Sequence, residues 1–448
     1  MVQDQNIEKY LRDTTNIWRK YGFDSTQYTR CMLYIMCLKK MIEENACLNP
    51  NYMGNIIELT RVLYRPISPD DIEVLRKSTD IVEETYGIKR GLLTDVLNPL
   101  RHQEESWKKA FLEIINATSE IEANESDYCL YALQLIYNAG KGGIRNGDRV
   151  SSSAVAELLS VAANVKEGES VLDGTIGYGY SAMKCIEGKK NISLYGVEIN
   201  TDSIQVITLL MILKSDVTFE VIQEDFTAMM SFCDIDKVVM DMPFGMKTTN
   251  ELVGYQWDKA RRWMDSDTCK EMECLFMAGA LDALNEKGRF VTIVPQGILF
   301  RQTKALSTFR CNLIKQGMLK AVVSLPSVYN STSMNTTMLV FERNNNDVLF
   351  VDASSLISRE RRNDAVITAE NKEKLRDILE NKKEVKGISF LVPNTIVLEV
   401  GDWSIARYQN SVERPQLRSV SEINKELEQR YKRLDELNAM SQTISLFS

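Results

Sequence analysis

"VLDGTIGYGYS", residues 171–181, decides the fold. A short apolar run ends on an acid, Asp173, and glycines follow at 177 and 179 ahead of a helix-forming stretch. Glycines so placed let the chain turn sharply and let a ligand approach the backbone at a helix start. Strand, tight turn and helix are predicted, with Asp173 at the mouth of the turn.

The runs that follow end in the same way. "ISLYGVEIN" (192–200) ends at Glu198, "TFEVIQEDF" (218–226) at Asp225 and Phe226, and "DKVVMDMPFG" (236–245) at Asp241. "GRFVTIVPQG", "LKAVVSLPS" and "TTMLVFER" continue the series, with helix-like "SIQVITLLMILK" and "LFMAGALDALNEK" lying between strands. Strand alternating with helix predicts an α/β fold built on a doubly wound sheet. Ligands of such sheets sit at the carboxyl ends of the strands, where these acids and glycines gather.

A carboxylate after the second strand accepts hydrogen bonds from both hydroxyls of a ribose, which suits NAD and S-adenosylmethionine alike. The dinucleotide fingerprint asks for a third glycine at position 182, where Ala182 stands. Asp173, four residues ahead of Gly177, favours the methyl donor, because a carboxylate there can meet the ammonium of its methionine part. "DMPFG" has no place in hydride transfer.

Outside this region the texture differs. Residues 1–140 read as helical, with apolar spacings of three and four in "YTRCMLYIMCLKKMI" and a capping signal at Ser68-Pro69-Asp70-Asp71. Glycine, charge and serine in "AGKGGIRNGDRVSSS" (139–153) mark a linker or loop. From about 366 the chain reads as helical and charged, and "SEINKELEQRYKRLDEL" puts Ile423, Leu427, Tyr431 and Leu434 on one helix face. The expected organisation is therefore a helical domain at 1–140, a catalytic α/β domain at 141–365, and a C-terminal region at 366–448 whose final helix docks on a partner.

Bulk properties remove several classes of chemistry. In 448 residues there is a single histidine, His102, so two-histidine metal sites are excluded and no metal is expected. Nine cysteines without a Cys-x-x-Cys pair read as buried, reduced thiols. No apolar run reaches the ~20 residues that span a bilayer, and no secretory signal is visible, so a cytoplasmic location is expected. The formal charge of −8 argues against a chain that holds nucleic acid alone. The basic clusters at 141–149, 258–263 and 358–362 read singly as solvated surface.

Asp241-Met242-Pro243-Phe244 resembles the Asn/Asp/Ser-Pro-Pro-aromatic loop of the amino-methyltransferases acting on DNA adenine. An exocyclic amine is a poor nucleophile while its lone pair is delocalised into the ring. Acceptors on its hydrogens, the first residue's side chain and the second residue's carbonyl, favour a tetrahedral nitrogen. The aromatic stacks on a base flipped from the duplex. Met242 keeps the carbonyl but gives up proline's fixed φ.

The resemblance widens to the modification subunit of type I restriction-modification systems, carried by "DSTQYTRCMLYIMCLKKM", "GRFVTIVPQGILFR", "VVSLPSVYNSTSMNTTMLVFER" and "VLFVDAS". It implies a class I methyltransferase sheet, transfer to N6 of adenine in DNA, and S-adenosylmethionine as cofactor. Asp173, Gly177, Gly179, Glu198, Asp225 and Phe226 would hold that cofactor, and Ser151 would lie over it. It also implies a hetero-oligomer with a separate DNA-specificity subunit, with or without a restriction subunit. Three positions depart from the pattern: Tyr178 and Tyr180 in the glycine turn, Val150-Ser151-Ser152 for Tyr-Thr-Pro, and Met242. They sustain a second expectation, a scaffold that keeps the fold while its site has drifted. Tyrosines pointing out of the pocket favour the enzyme, and tyrosines pointing in favour the scaffold.

Overall fold

The apolar runs from 170 onward form strands that assemble in one mixed sheet. In this computed structural model the described residues are 2–22, 25–47, 49–63, 71–97, 105–119, 125–141, 150–214, 216–248, 251–329, 334–359, 365–412 and Arg433. The strands are β1 (Ser170–Asp173), β2 (Ile192–Glu198), β3 (Val217–Gln223), β4 (Ile235–Met240), β5 (Leu284–Pro295), β6 (Leu319–Leu325), β7 (Thr336–Phe341) and β8 (Asp347–Asp352). β9 (Ile357–Ser358) and β10 (Val366–Ile367) form a separate small ribbon, and β11 (Ser389–Pro393) joins the main sheet.

The main sheet runs β11-β8-β6-β7-β5-β4-β1-β2-β3. β1 to β5 are mutually parallel, and β7 is inserted antiparallel between β5 and β6. From β1 the chain moves outward to β2 and β3, then returns to β4 on the other side. That reversal opens a crevice at the carboxyl ends of β1 and β4. The doubly wound α/β sheet expected from the sequence is therefore present. The segment read as helical from about 366 also holds strand: β10 stands at its start, and "SFLVP" forms β11 inside it. It pairs antiparallel with β8, and five residues are too short to show a period of two against their charged surroundings.

The N-terminal helices are α1 (Val2–Tyr21), α2 (Ser25–Glu43), α3 (Met53–Leu63), α4 (Asp71–Thr85), α5 (Glu105–Ser119) and α6 (Glu125–Lys141). Every residue from Cys31 to Leu38 is buried, because α2 is enclosed by other helices and so can be apolar all round. One of its neighbours is α9 (Thr201–Leu213), which follows β2. Arg30 of α2 bonds Asp202 Oδ1 at 2.8 Å and Gln205 Oε1 at 2.7 Å, and Cys37 Sγ donates to the Leu209 carbonyl at 3.3 Å. Met1–Trp403 is one compact unit and Ser404–Ser448 a second, whose described part holds the short helix Ala406–Val412. The apolar stripe at 423–434, the Ser68-Pro69-Asp70 cap and His102 lie outside the described residues.

Candidate active site

A cavity of about 610 Å³ opens where β1 to β4 end. Its walls carry Asp173 from β1, Glu198 from β2, Asp225 and Phe226 just after β3, and Asp241 to Phe244 just after β4. Gly177 lies in the turn after β1, and Ser151 borders the opposite loop. Glu224 is a further acid on the wall. Among the described residues the lining holds five carboxylates, and no lysine, arginine or histidine.

Local hydrogen bonds fix each acid. The Gly177 amide donates to Glu198 Oε2 at 3.1 Å and the Asn200 amide to Oε1 at 2.8 Å. Each oxygen keeps a second lone pair for a ligand hydroxyl. Asp225 accepts the Thr227 amide at 2.8 Å and hydroxyl at 2.7 Å, both on Oδ1. Asp173 is 2% exposed and accepts the Thr175 amide at 3.0 Å. Burial raises its pKa to about 7, with the charges of Asp241 and Glu198 acting in the same direction. A buried carboxylate without a cation is costly and takes up a proton instead.

Phe226 is packed on several sides. Its ring stacks on Phe276 at 6.4 Å, and a Cβ at Gly174 would fall 2.8 Å from it, so only glycine fits there. Lys259, in the helix α10 (Gln256–Met264), lies under the same turn. Its ammonium donates to the carbonyls of Phe226, Thr227 and Met229, each at 2.9 Å. Burial lowers the Lys259 pKa to about 8. Sequence reading had placed Lys259 in a solvated basic cluster, whereas it is an internal strut. Its neighbours Arg261 and Arg262 do lie at the surface, paired with Asp267 at 2.7 Å and Asp282 at 2.9 Å.

The Asp241–Phe244 loop leaves β4 with its backbone held at the far end. There Gly245, at φ +71°, donates its amide to Glu273 Oε1 at 2.7 Å. Met242 is buried, Phe244 is half-buried, and Pro243 is exposed. Asp241 accepts the Tyr329 hydroxyl at 2.6 Å and a hydrogen bond from the Ser151 side chain. Burial raises its pKa and these two donors oppose the rise. Phe244 meets the Tyr329 ring edge-on, with centroids 5.4 Å apart at 78°. Tyr329 carries no local signature of this role, although it lies within the stretch "VVSLPSVYNSTSMNTTMLVFER" that carries the family resemblance. Its position just past β6 was the available signal.

Gly179 and the two tyrosines beside it are placed differently from the other named residues. Gly179 does not border the cavity. It caps the helix Tyr180–Cys185 at φ +82°, and a Cβ there would lie 2.1 Å from Ile207 Cδ1 of α9. Tyr178 is fully buried, does not line the cavity, and donates to Thr26 Oγ1 of α2 at 3.3 Å. Tyr180 does line it, yet stacks on Tyr137 of α6 at 5.4 Å and 18° and hydrogen-bonds Ser153. Both bulky tyrosines are therefore engaged by the N-terminal helices.

The model of the N-6 DNA methylase family matches residues 129–414, more than half of the chain, and covers every residue of this cavity. The chain belongs to the N-6 DNA methylase family. Among proteins similar to this chain is the methylase subunit of the type I restriction enzyme MpnII of Mycoplasma pneumoniae. It is 26% identical over 371 residues, 77% of this chain and 66% of that protein. The type II restriction enzyme and methyltransferase RM.BcgI of Heyndrickxia coagulans is 19% identical over 290 residues, 59% of this chain and 42% of that protein. The chain thus spans less than two thirds of the length of either relative.

Solved structures repeat the fold. The type I restriction-modification system methyltransferase subunit from Streptococcus thermophilus superposes with a TM-score of 0.70 at 16% identity, over 90% of this chain and 99% of that one. A chain from a structure of the type I R-M system gives 0.65 at 16% identity, covering 98% of each. At such identity the likeness is one of fold. Among the described residues no helix is long and apolar enough to cross a membrane, and no group of His, Cys, Asp or Glu is arranged to hold a metal ion.

Proposed function

We propose that this N-6 DNA methylase transfers a methyl group from S-adenosylmethionine to N6 of adenine in DNA. It would act in the cytoplasm as the modification subunit of a type I restriction-modification complex. The observation that carries the reading is a cavity lined, among the described residues, by five acids and no base, with the Asp241–Phe244 loop on one wall. Such a field favours a cation and repels the pyrophosphate of a dinucleotide. S-adenosylmethionine has a sulfonium and an ammonium against one carboxylate, so its net charge suits the cavity, and NAD does not.

When bound, the cofactor supplies an electrophilic methyl group. Asp173 would pair with its ammonium and lose the proton that burial imposes. Glu198 would accept from the two ribose hydroxyls, and Asp225 with Phe226 would border the adenine. Ser151, on the opposite lip, would close over the methionine part. Asp241 and the Met242 carbonyl would take the two hydrogens of the target amine, freeing its lone pair, while Phe244 stacks on the extruded ring. Phosphates stay outside a cavity this acidic, so the duplex would be held mainly by other surfaces. That division suits a separate DNA-specificity subunit, with or without a restriction subunit.

Calorimetric titration with S-adenosylmethionine, followed by transfer of labelled methyl to unmethylated DNA, tests the proposal. Binding lost on Glu198→Ala, together with label in N6-methyladenine, is the expected result. Absence of both in the complex purified from its native host would overturn it.

A further inference from the structure

We propose that Tyr329 and Ser151 are positioning residues for Asp241, their hydroxyls supplying the rigidity that Met242 gives up where a proline would stand. The inference rests on the function proposed above and deepens it. Proline at the second loop position would fix φ and so aim both the acid before it and its own carbonyl. Methionine leaves that torsion free, and the loop must be fixed from outside.

The structure supplies such fixing from two sides. Tyr329, on the loop after β6, donates to Asp241 Oδ1 at 2.6 Å, and its ring packs edge-on against Phe244. One phenol side chain therefore grips the first and the fourth residue of the loop. Ser151 hydrogen-bonds the same carboxylate from the segment that leads into the helix Ser153–Ala163. The two donors are tied to each other: the Ser152 hydroxyl donates to the Val328 carbonyl at 2.8 Å. Arg359 holds the Tyr329 loop from outside, donating to the Ser327 carbonyl at 3.2 Å and the Tyr329 carbonyl at 3.3 Å.

A carboxylate has about four acceptor sites, so two hydroxyls leave room for an amine hydrogen. The hydroxyls also stabilise the ionised acid. Asp241 shares its cavity with Asp173, whose pKa its charge raises, while Glu273 is turned to the Gly245 amide. A protonated Asp241 loses acceptor capacity for the substrate amine. Tyr329 thus aims the acid and opposes the rise that burial imposes on its pKa.

The test uses Tyr329→Phe, which keeps the ring and removes the oxygen, in the complex purified from its native host, with unmethylated genomic DNA. A hydrogen bond to a charged group is worth about 1.5–3 kcal/mol, so kcat is expected to fall roughly 10- to 100-fold. S-adenosylmethionine affinity should stay within about twofold. The acidic limb of the pH–rate profile should move to higher pH, because losing a donor raises the acid's pKa. Met242→Pro introduced into Tyr329→Phe should restore a good part of kcat, since either device fixes the loop.

A Tyr329→Phe enzyme as active as wild type would overturn the inference while leaving the methyltransferase reading intact. So would a loss of rate with neither a shifted limb nor rescue by proline. Wild-type protein that transfers no methyl group would instead defeat the proposed function. Carboxyl NMR of aspartate-labelled chain then decides the positioning claim alone: an Asp241 that titrates identically in wild type and Tyr329→Phe refutes it, and a higher pKa in the variant supports it.

Discussion

The amide of Gly177 donates to Glu198 Oε2 at 3.1 Å, joining the turn after β1 to the end of β2. One carboxylate thereby closes the turn and still presents acceptors to a ligand. Glu198→Ala removes both functions, leaving the Gly177 and Asn200 amides without that acceptor. Hydrogen bonds to a charged acceptor are worth about 1.5–3 kcal/mol each. Cofactor affinity should fall by roughly two orders of magnitude or more in calorimetry, and unchanged affinity would remove Glu198 from the site.

Asp173 should make cofactor binding depend on pH. Its folded-state pKa of about 7 lies above that of an unfolded aspartate, so the folded apo chain holds the proton more tightly. The contribution to stability is full below about pH 4 and is lost as pH rises through about 7. A bound cation reverses the preference and expels the proton. Affinity for S-adenosylmethionine should therefore rise with pH up to about 7 and then level, with proton release visible in buffers of different ionisation enthalpy. Asp173→Asn should flatten the curve between about pH 6 and 7. A flat wild-type curve would rule out an ammonium contact at Asp173.

Asp241→Ala should separate binding from chemistry. The acid follows β4, while the Gly177–Glu198 pair joins the turn after β1 to the end of β2. Cofactor binding should stay near wild type and methyl transfer should disappear. Residual transfer at the wild-type rate would sink the assignment of this loop.

Phe244→Ala should weaken capture of an extruded base by ~1–3 kcal/mol, the usual worth of one base–aromatic stack. A duplex with a fluorescent adenine analogue at the target position reads this directly. Equal affinity and equal fluorescence in the variant would take Phe244 out of base binding.

Gly179→Ala tests the packing of the glycine turn against α9. At φ +82°, with a new methyl 2.1 Å from Ile207 Cδ1, strain and overpacking act together. A loss of about 2–3 kcal/mol is expected from the denaturant midpoint. A midpoint equal to wild type would mean that α9 can yield at this contact.

The strand ends were legible in the sequence because their signals are local. Short apolar runs closed by Asp, Glu or Gly follow from backbone sterics and from the need to pair polar groups near a strand's exit. Ten of the eleven residues named for the site border one cavity; the eleventh, Gly179, packs against α9, and a turn glycine and a ligand-contact glycine look alike in one dimension. The two tyrosines that made the pocket look altered were illegible for another reason. Their partners, Thr26 and Tyr137, belong to helices far away in the chain, and only packing shows that a bulky side chain there has somewhere else to go.

By itself, then, the sequence determined the alternation of strand and helix, the acids at the strand ends and the loop after β4. Tertiary structure alone decided that Tyr329 meets Asp241 across 88 residues, and that Lys259 sits beneath the Phe226 turn. Those contacts depend on the order of strands in the sheet, where β7 and β5 lie between β6 and β4. Strand order is fixed by burial summed over the whole core, a quantity that no short stretch of residues encodes.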